Sequence, residues 1–237
     1  MTEPVRAGIH VWDLPVRLSH WGLVLCLCGC YLSGKFGWPS MAWHYWFGYG
    51  ALGLALFRIV WGFIGGQHAR FSAMLRGPRA VFAHLRELLG GARRHLHAGH
   101  NPAGGWSALV LLLLTATQAA LGLFSSDGIQ YFGPLSERID ADTMETLSSW
   151  HRTLELWLLL LIALHLLAIL SYWLLRREAL LPAMFSGSKR DLPAGTLPAR
   201  NAAPWLAWVV ALIVAAALWA LLTYWPEGAG VVDNYGF

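Results

Sequence analysis

Long apolar stretches alternate with shorter polar ones along the chain, and they fall at about 15-33, 41-64, 105-124, 148-175 and 204-225. A helix rises about 1.5 Å per residue and a bilayer's hydrocarbon core is about 30 Å thick, so runs of roughly twenty apolar residues predict five transmembrane helices. Local punctuation agrees. Asp13 is placed to cap the first helix with Pro15 in its first turn, and Gly34 and Pro39 break the chain before the second. Residues 1–12 read as a surface-lying lead-in, and the first apolar run, which lacks a convincing cleavage site, reads as a signal anchor. Within the polar stretch 65–104, Pro78 to Leu89 carries apolar positions at helical spacing, which predicts an interfacial helix lying on anionic lipid. The expected fold is therefore an all-α membrane protein. Residues 1-177 form a four-helix transmembrane core, 178-203 a cytoplasmic linker, 204-225 a fifth C-terminal transmembrane helix and 226-237 a periplasmic tail.

Charge orients this layout. Arg70, Arg76, Arg79, Arg86, Arg93 and Arg94 crowd the second-to-third loop, and Arg176, Arg177, Lys189, Arg190 and Arg200 follow the fourth span. The third-to-fourth loop instead carries Asp127, Glu137, Asp140, Asp142 and Glu145. Basic loops stay inside, so the N-terminus is expected to be cytoplasmic and the C-terminus periplasmic. Trp38, Trp43, Trp46, Trp150 and Trp225 then fall near the outer boundary, where interfacial tryptophans belong. Composition supports the membrane reading: 57% of residues are hydrophobic and 13% charged, where a soluble domain has about a quarter charged. The formal charge of +4 sits in particular loops rather than over a soluble surface, which argues against nucleic acid as a partner. Cys26, Cys28 and Cys30 lie inside an apolar run with no Cys-x-x-Cys-His, so they read as small residues for helix packing.

Histidine is costly in hydrocarbon, which makes His20, His44, His151 and His165 the candidate chemistry. On one helix, His151 and His165 are about 21 Å apart and within about 40° of one face. In the expected topology His20 shares the lower level with His165, and His44 the upper level with His151. Two imidazole pairs stacked this way suit two metalloporphyrins, each held by bis-imidazole ligation, so all four are candidate metal ligands. Arg58 follows His44 at the same fourteen-residue offset and is a candidate fork for a porphyrin carboxylate. Gly48, one turn from His44, leaves room for a porphyrin plane. Four loop histidines, His68, His84, His95 and His97, read as solvated or facing headgroups. His100 is kept apart because Gly99-His100-Asn101-Pro102 leads into the third span beside the lower pair.

Four blocks together carry a family likeness. They are Asp13-Leu-Pro-Val-Arg17-Leu-Ser-His20-Trp21, His44-x-x-x-Gly48 through Arg58-Ile-Val-Trp61-Gly-Phe-Ile-Gly65, Gly99-His-Asn-Pro102, and Trp150-His151-Arg152 through His165. In this order and spacing the chain resembles the bacterial cytochrome b561 family over roughly residues 10 to 177, and within it the cytochrome b subunits of nickel-iron hydrogenases. The resemblance implies a four-helix bundle in the bacterial inner membrane, two non-covalent b-type haems, and electron transfer between a quinone pool and a partner redox protein. The same two histidine pairs would be the axial ligands.

A quinone site near the lower haem is expected around Arg17, Arg58, His100 and Asn101, whose polar groups converge at one depth. Glu155, one turn below His151, reads as a partner for Arg152 or a proton acceptor from quinol. The leading expectation is an electron-transfer subunit of a respiratory oxidoreductase. It would contact membrane lipid, quinone and a periplasmic hydrogenase, dehydrogenase or c-type cytochrome, with a homo-oligomer also open. A stand-alone quinone oxidoreductase, for example one handling superoxide, is the alternative. A metal or proton transporter ranks last, because the spans are continuous and apolar at midplane.

Overall fold

The computed structural model describes residues 8–89, 96–178, 180–190, 192–193 and 195–224. Trp225, Arg93, Arg94, His95 and the tail at 226–237 lie outside the described residues. Among the described residues, five helices are long and apolar enough to cross a membrane: α1 (Leu14–Phe36), α2 (Met41–Ile64), α5 (Pro102–Gly122), α6 (Ala141–Arg176) and α8 (Pro204–Tyr224). Between them lie the short α3 (Phe71–Met74), α4 (Pro78–Leu89) and α7 (Leu180–Ser186), with the two-residue strands β1 (Ile9–His10) and β2 (Ser188–Lys189). The chain is a multi-pass helical membrane protein. Leu156, Trp157, Leu164 and Leu167 of α6 and Trp208, Leu212, Ile213 and Trp219 of α8 are exposed, as expected where the solvent is hydrocarbon and not water.

The residues group into two compact units. One comprises residues 1–20, 58–112 and 161–210. Its centre is Asp13, 6% exposed, whose carboxylate caps α1 by accepting from the Val16 amide at 2.9 Å. The same carboxylate accepts from Trp61 Nε1 at 3.0 Å and from the Gly66 amide at 3.2 Å, tying the start of α1 to the end of α2. The lead-in is not merely laid on a surface. Ile9 pairs with Lys189 and His10 with Ser188 in an antiparallel ladder, and the amides of Val11 and Trp12 donate to the Gly187 carbonyl at 2.8 and 3.0 Å. Gly187 has φ +83°, and a Cβ there would stand 2.9 Å from the Trp12 carbonyl oxygen and from Arg17, so glycine permits both the turn and the close approach. The linker after α6 is thus ordered by α7 and β2.

The other unit comprises, of the described residues, 21–57, 113–160 and 211–224. Leu52, Leu123 and Leu135 form its buried core, with Tyr49, Leu218 and Leu222 packed against them. Cys26 is buried and its Sγ would lie 2.9 Å from a Cβ on Gly50, a close helix contact made with small residues. The fourth span starts earlier than its hydropathy predicts, at Ala141 instead of about 148. Asp140 caps it, accepting from the Thr143 amide at 2.9 Å and from the Thr143 hydroxyl at 2.7 Å, so the helix continues past the hydrocarbon into a polar turn.

Candidate functional site

In the second unit, α2 and α6 bring His44 and His151 together. Their ring centroids are 6.4 Å apart and their planes cross at 84°. His44 Nδ1 lies 2.9 Å from the Cys30 carbonyl of α1, and His151 Nδ1 lies 3.0 Å from the Gln118 carbonyl of α5. A carbonyl only accepts, so each ring carries its proton on Nδ1 and keeps the Nε2 lone pair for a ligand. Gln118 also donates from its side chain to the His151 carbonyl at 2.8 Å, which locks α5 to α6 at this level. Two glycines make the ring positions possible. A Cβ on Gly34 would meet His44 Cε1 at 3.0 Å, and one on Gly122 would meet His151 Cε1 at 3.0 Å. A Cβ on Gly48 would meet nothing within 4 Å, so space is open beside the pair.

This donor set fits haem. With about 2.0 Å from metal to each imidazole nitrogen, two axial imidazoles place their centroids about 6 Å apart, close to the observed separation. Among the described residues no group of three or more His, Cys, Asp or Glu side chains assembles. Two imidazoles alone underfill a bare-ion site but complete a metal that already has four porphyrin nitrogens. Glu155 pairs with Lys35 at 3.6 Å in a half-exposed ion pair rather than with Arg152.

In the first unit, His20 of α1 and His165 of α6 line one cavity of about 340 Å³, within the ordinary range for small-molecule sites. Its wall is largely apolar, with Leu85, Leu88, Ala168, Ile169 and Leu181. His100, Asn101, His97, Tyr172, Glu178 and Lys189 add polar groups. The His100 ring stands edge-on to Trp12 at 4.7 Å, and its Nδ1 is enclosed with no hydrogen-bond partner. Burial, helped by the Arg58 and Lys189 cations, pushes the His100 imidazole down to about 3, so it is neutral. Asn101 caps α5, accepting from the Gly104 amide at 2.6 Å, and donates to the Tyr172 hydroxyl at 2.9 Å. Lys189, 7% exposed, donates to the carbonyls of His97 at 3.0 Å and Gly99 at 3.5 Å and pairs with Glu178 at 3.3 Å. Burial lowers its pKa, with Glu178 opposing.

Of the residues expected from sequence, His20, His165, His100 and Asn101 share this cavity, and His44, His151 and Gly48 share the other site. Arg17 and Arg58 stand outside the cavity wall. Arg17 donates to the Phe185 carbonyl of α7, and Arg58 donates to the Ala69 carbonyl at 3.2 Å. Two loop histidines depart from the expectation of solvent or headgroups. His84 is 8% exposed, and His97 lines the cavity, because the loop folds back onto α6. Burial, with Lys189 adding to it, lowers the pKa of His68. Tyr172, Glu178, Lys189 and Gln118 were not singled out from sequence. Tyr172 lies seven residues beyond His165, two turns on the same face, and Gln118 is a lone amide in an apolar span, so both left a signal.

Residues 11–187, well over half of the chain, match the family model for prokaryotic cytochrome b561. No curated protein and no solved structure matches. With its paired imidazoles set in a helical membrane protein, this chain belongs to the prokaryotic cytochrome b561 family, a membrane b-type cytochrome that binds haem and transfers electrons.

Proposed function

We propose that the protein carries two b haems, one between His44 and His151 and one between His20 and His165. It would pass electrons between the quinone pool and a periplasmic hydrogenase, dehydrogenase or c-type cytochrome. The observation that carries this reading is the His44–His151 pair, whose ring centroids lie 6.4 Å apart while both Nδ1 atoms are taken up by helix carbonyls. When bound, haem supplies one-electron chemistry between ferric and ferrous states. The chain's own residues do the rest. A haem held by two of these histidines would favour electron transfer over oxygen binding. The Nδ1 hydrogen bonds orient the rings and raise their basicity. Gly48 leaves clearance for the porphyrin, and Arg58, near enough to His100 to act on its charge, is the cation for a haem carboxylate.

The quinone is assigned to the polar end of the His20–His165 cavity. The enclosed, unpartnered His100 Nδ1 is suited to hydrogen-bond a quinone oxygen there, beside Asn101. Arg17 is held by α7 and would act at the rim. In this orientation the N-terminus is cytoplasmic, the C-terminus periplasmic and the membrane is the bacterial inner one, as the basic loops indicate. The test is haem quantitation on the purified protein together with quinol-driven reduction. Two non-covalent b haems per chain, both reduced by quinol, are expected. One haem per chain, or no reduction, overturns the proposal.

A further inference from the structure

A line of hydrogen bonds that electron transfer does not require runs from α4 to the His20–His165 cavity. His84 Nε2 lies 2.7 Å from the Tyr172 hydroxyl, and Asn101 Nδ2 lies 2.9 Å from that hydroxyl on its other side. The Asn101 amide nitrogen can only donate, so the tyrosine oxygen accepts there; when its second lone pair accepts from His84 Nε2–H, its own proton is left for the cavity. Tyr172 and Asn101 both line the cavity, whereas His84 belongs to α4, whose neighbours Arg86 and Leu85 are exposed. The groups facing His84 are Glu87 on its own helix, Arg176 and Tyr172 of α6, Glu178 beyond α6, and the His97 ring with its centroid 5.7 Å away. Burial lowers its pKa, assisted by Arg176 and opposed by Glu87 and Glu178. A neutral imidazole with a tyrosine between it and a ligand cavity can take a proton on one side and release one on the other.

We propose that His84 and Tyr172 form the proton route between the aqueous phase at α4 and a quinone in the cavity. This rests on the quinone reading of that cavity. Reduction of one quinone takes two electrons, supplied by the two haems, and two protons. An aqueous proton bonds to His84 Nδ1 and charges the imidazole. Its Nε2–H passes to the Tyr172 oxygen as the tyrosine's own proton forms an O–H bond with the nearer oxygen of the reduced quinone. The imidazole ends neutral and the tyrosine unchanged. The second proton reaches the far oxygen independently. Asn101 is a positioning residue that holds the hydroxyl in line.

The experiment mixes fully reduced holoprotein with a short-tail benzoquinone in weak buffer containing a pH indicator, following haem oxidation and proton uptake together. In the unaltered protein the two coincide. His84→Ala and Tyr172→Phe are expected to keep the haem spectrum, to slow proton uptake on the order of a hundredfold, and to be no slower in combination than singly. Added imidazole is expected to restore part of the rate to His84→Ala and none to Tyr172→Phe. Unaltered rates and pH profile in both variants, with His100→Ala slow, overturn the route and leave the quinone reading standing. Unaltered rates in all three overturn both.

Discussion

His44 and His151 face each other with centroids 6.4 Å apart, and each anchors its outer nitrogen to the backbone of a further helix. Four helices, α1, α2, α5 and α6, therefore meet at one pair of side chains. Such a pair is preorganised: the carbonyl partners fix the rings and choose the tautomer that can ligate.

The glycines beside the rings make this arrangement testable without touching a ligand. A side chain on Gly122 collides with His151, whose Cε1 is 3.0 Å from a Cβ there. Gly122→Val is expected to remove one haem and retain the other. Haem quantitation with circular dichroism checks it, and full haem content would contradict it.

Asp13 joins three backbone and side-chain donors in one buried carboxylate. Asp13→Ala loses the α1 cap and leaves the Gly66 amide without its carboxylate acceptor, which costs about 2–4 kcal/mol by the usual values for a cap and a buried orphan. Thermal unfolding in detergent should show a clearly lower midpoint, with Asp13→Asn intermediate.

How much of this was legible follows from which forces the sequence displays. Spans were visible because hydrocarbon demands an uninterrupted apolar run, and the α1 start because Asp13 and Pro15 announce a cap. The α6 start was missed, since hydropathy marks where lipid ends while Asp140 marks where the helix begins. Fourteen-residue offsets put His44 and Arg58, like His151 and His165, on common faces. Whether a face meets a cavity depends on the neighbours, and so the offset alone does not show that Arg58 also donates to the Ala69 carbonyl. The basic loop misled most. Its arginines indicate water, yet His84 and His97 turn inward, because a 2.7 Å bond to a tyrosine on a distant helix leaves no local pattern.

Buried Lys189 pairs with the partly buried Glu178 and fastens the His97–Gly99 backbone. Lys189→Met leaves the Glu178 carboxylate without its cation and is expected to destabilise the protein, whereas adding Glu178→Gln should recover much of the loss, as for other buried pairs. Additive losses in the unfolding midpoints would contradict the coupling.

Both His68 and His84 are held below the ordinary histidine value, burial being the main cause. The unfolded chain then takes up protons first as pH falls through the ordinary histidine value of about 6.5, so stability present above that pH is lost on acidification. The unfolding midpoint should drop between pH 8 and 5, and His68→Asn should lessen the drop. An unchanged pH dependence in that variant would assign the acid lability elsewhere.

The central claim is that each haem is held by one imidazole pair. The most direct measurement is the reduced-minus-oxidised spectrum and haem content of four single variants, His20→Ala, His44→Ala, His151→Ala and His165→Ala. The account predicts that His44→Ala and His151→Ala abolish the same haem signal, while His20→Ala and His165→Ala abolish the other. Loss of different signals within either pair, or full pigment in any of the four, would contradict it.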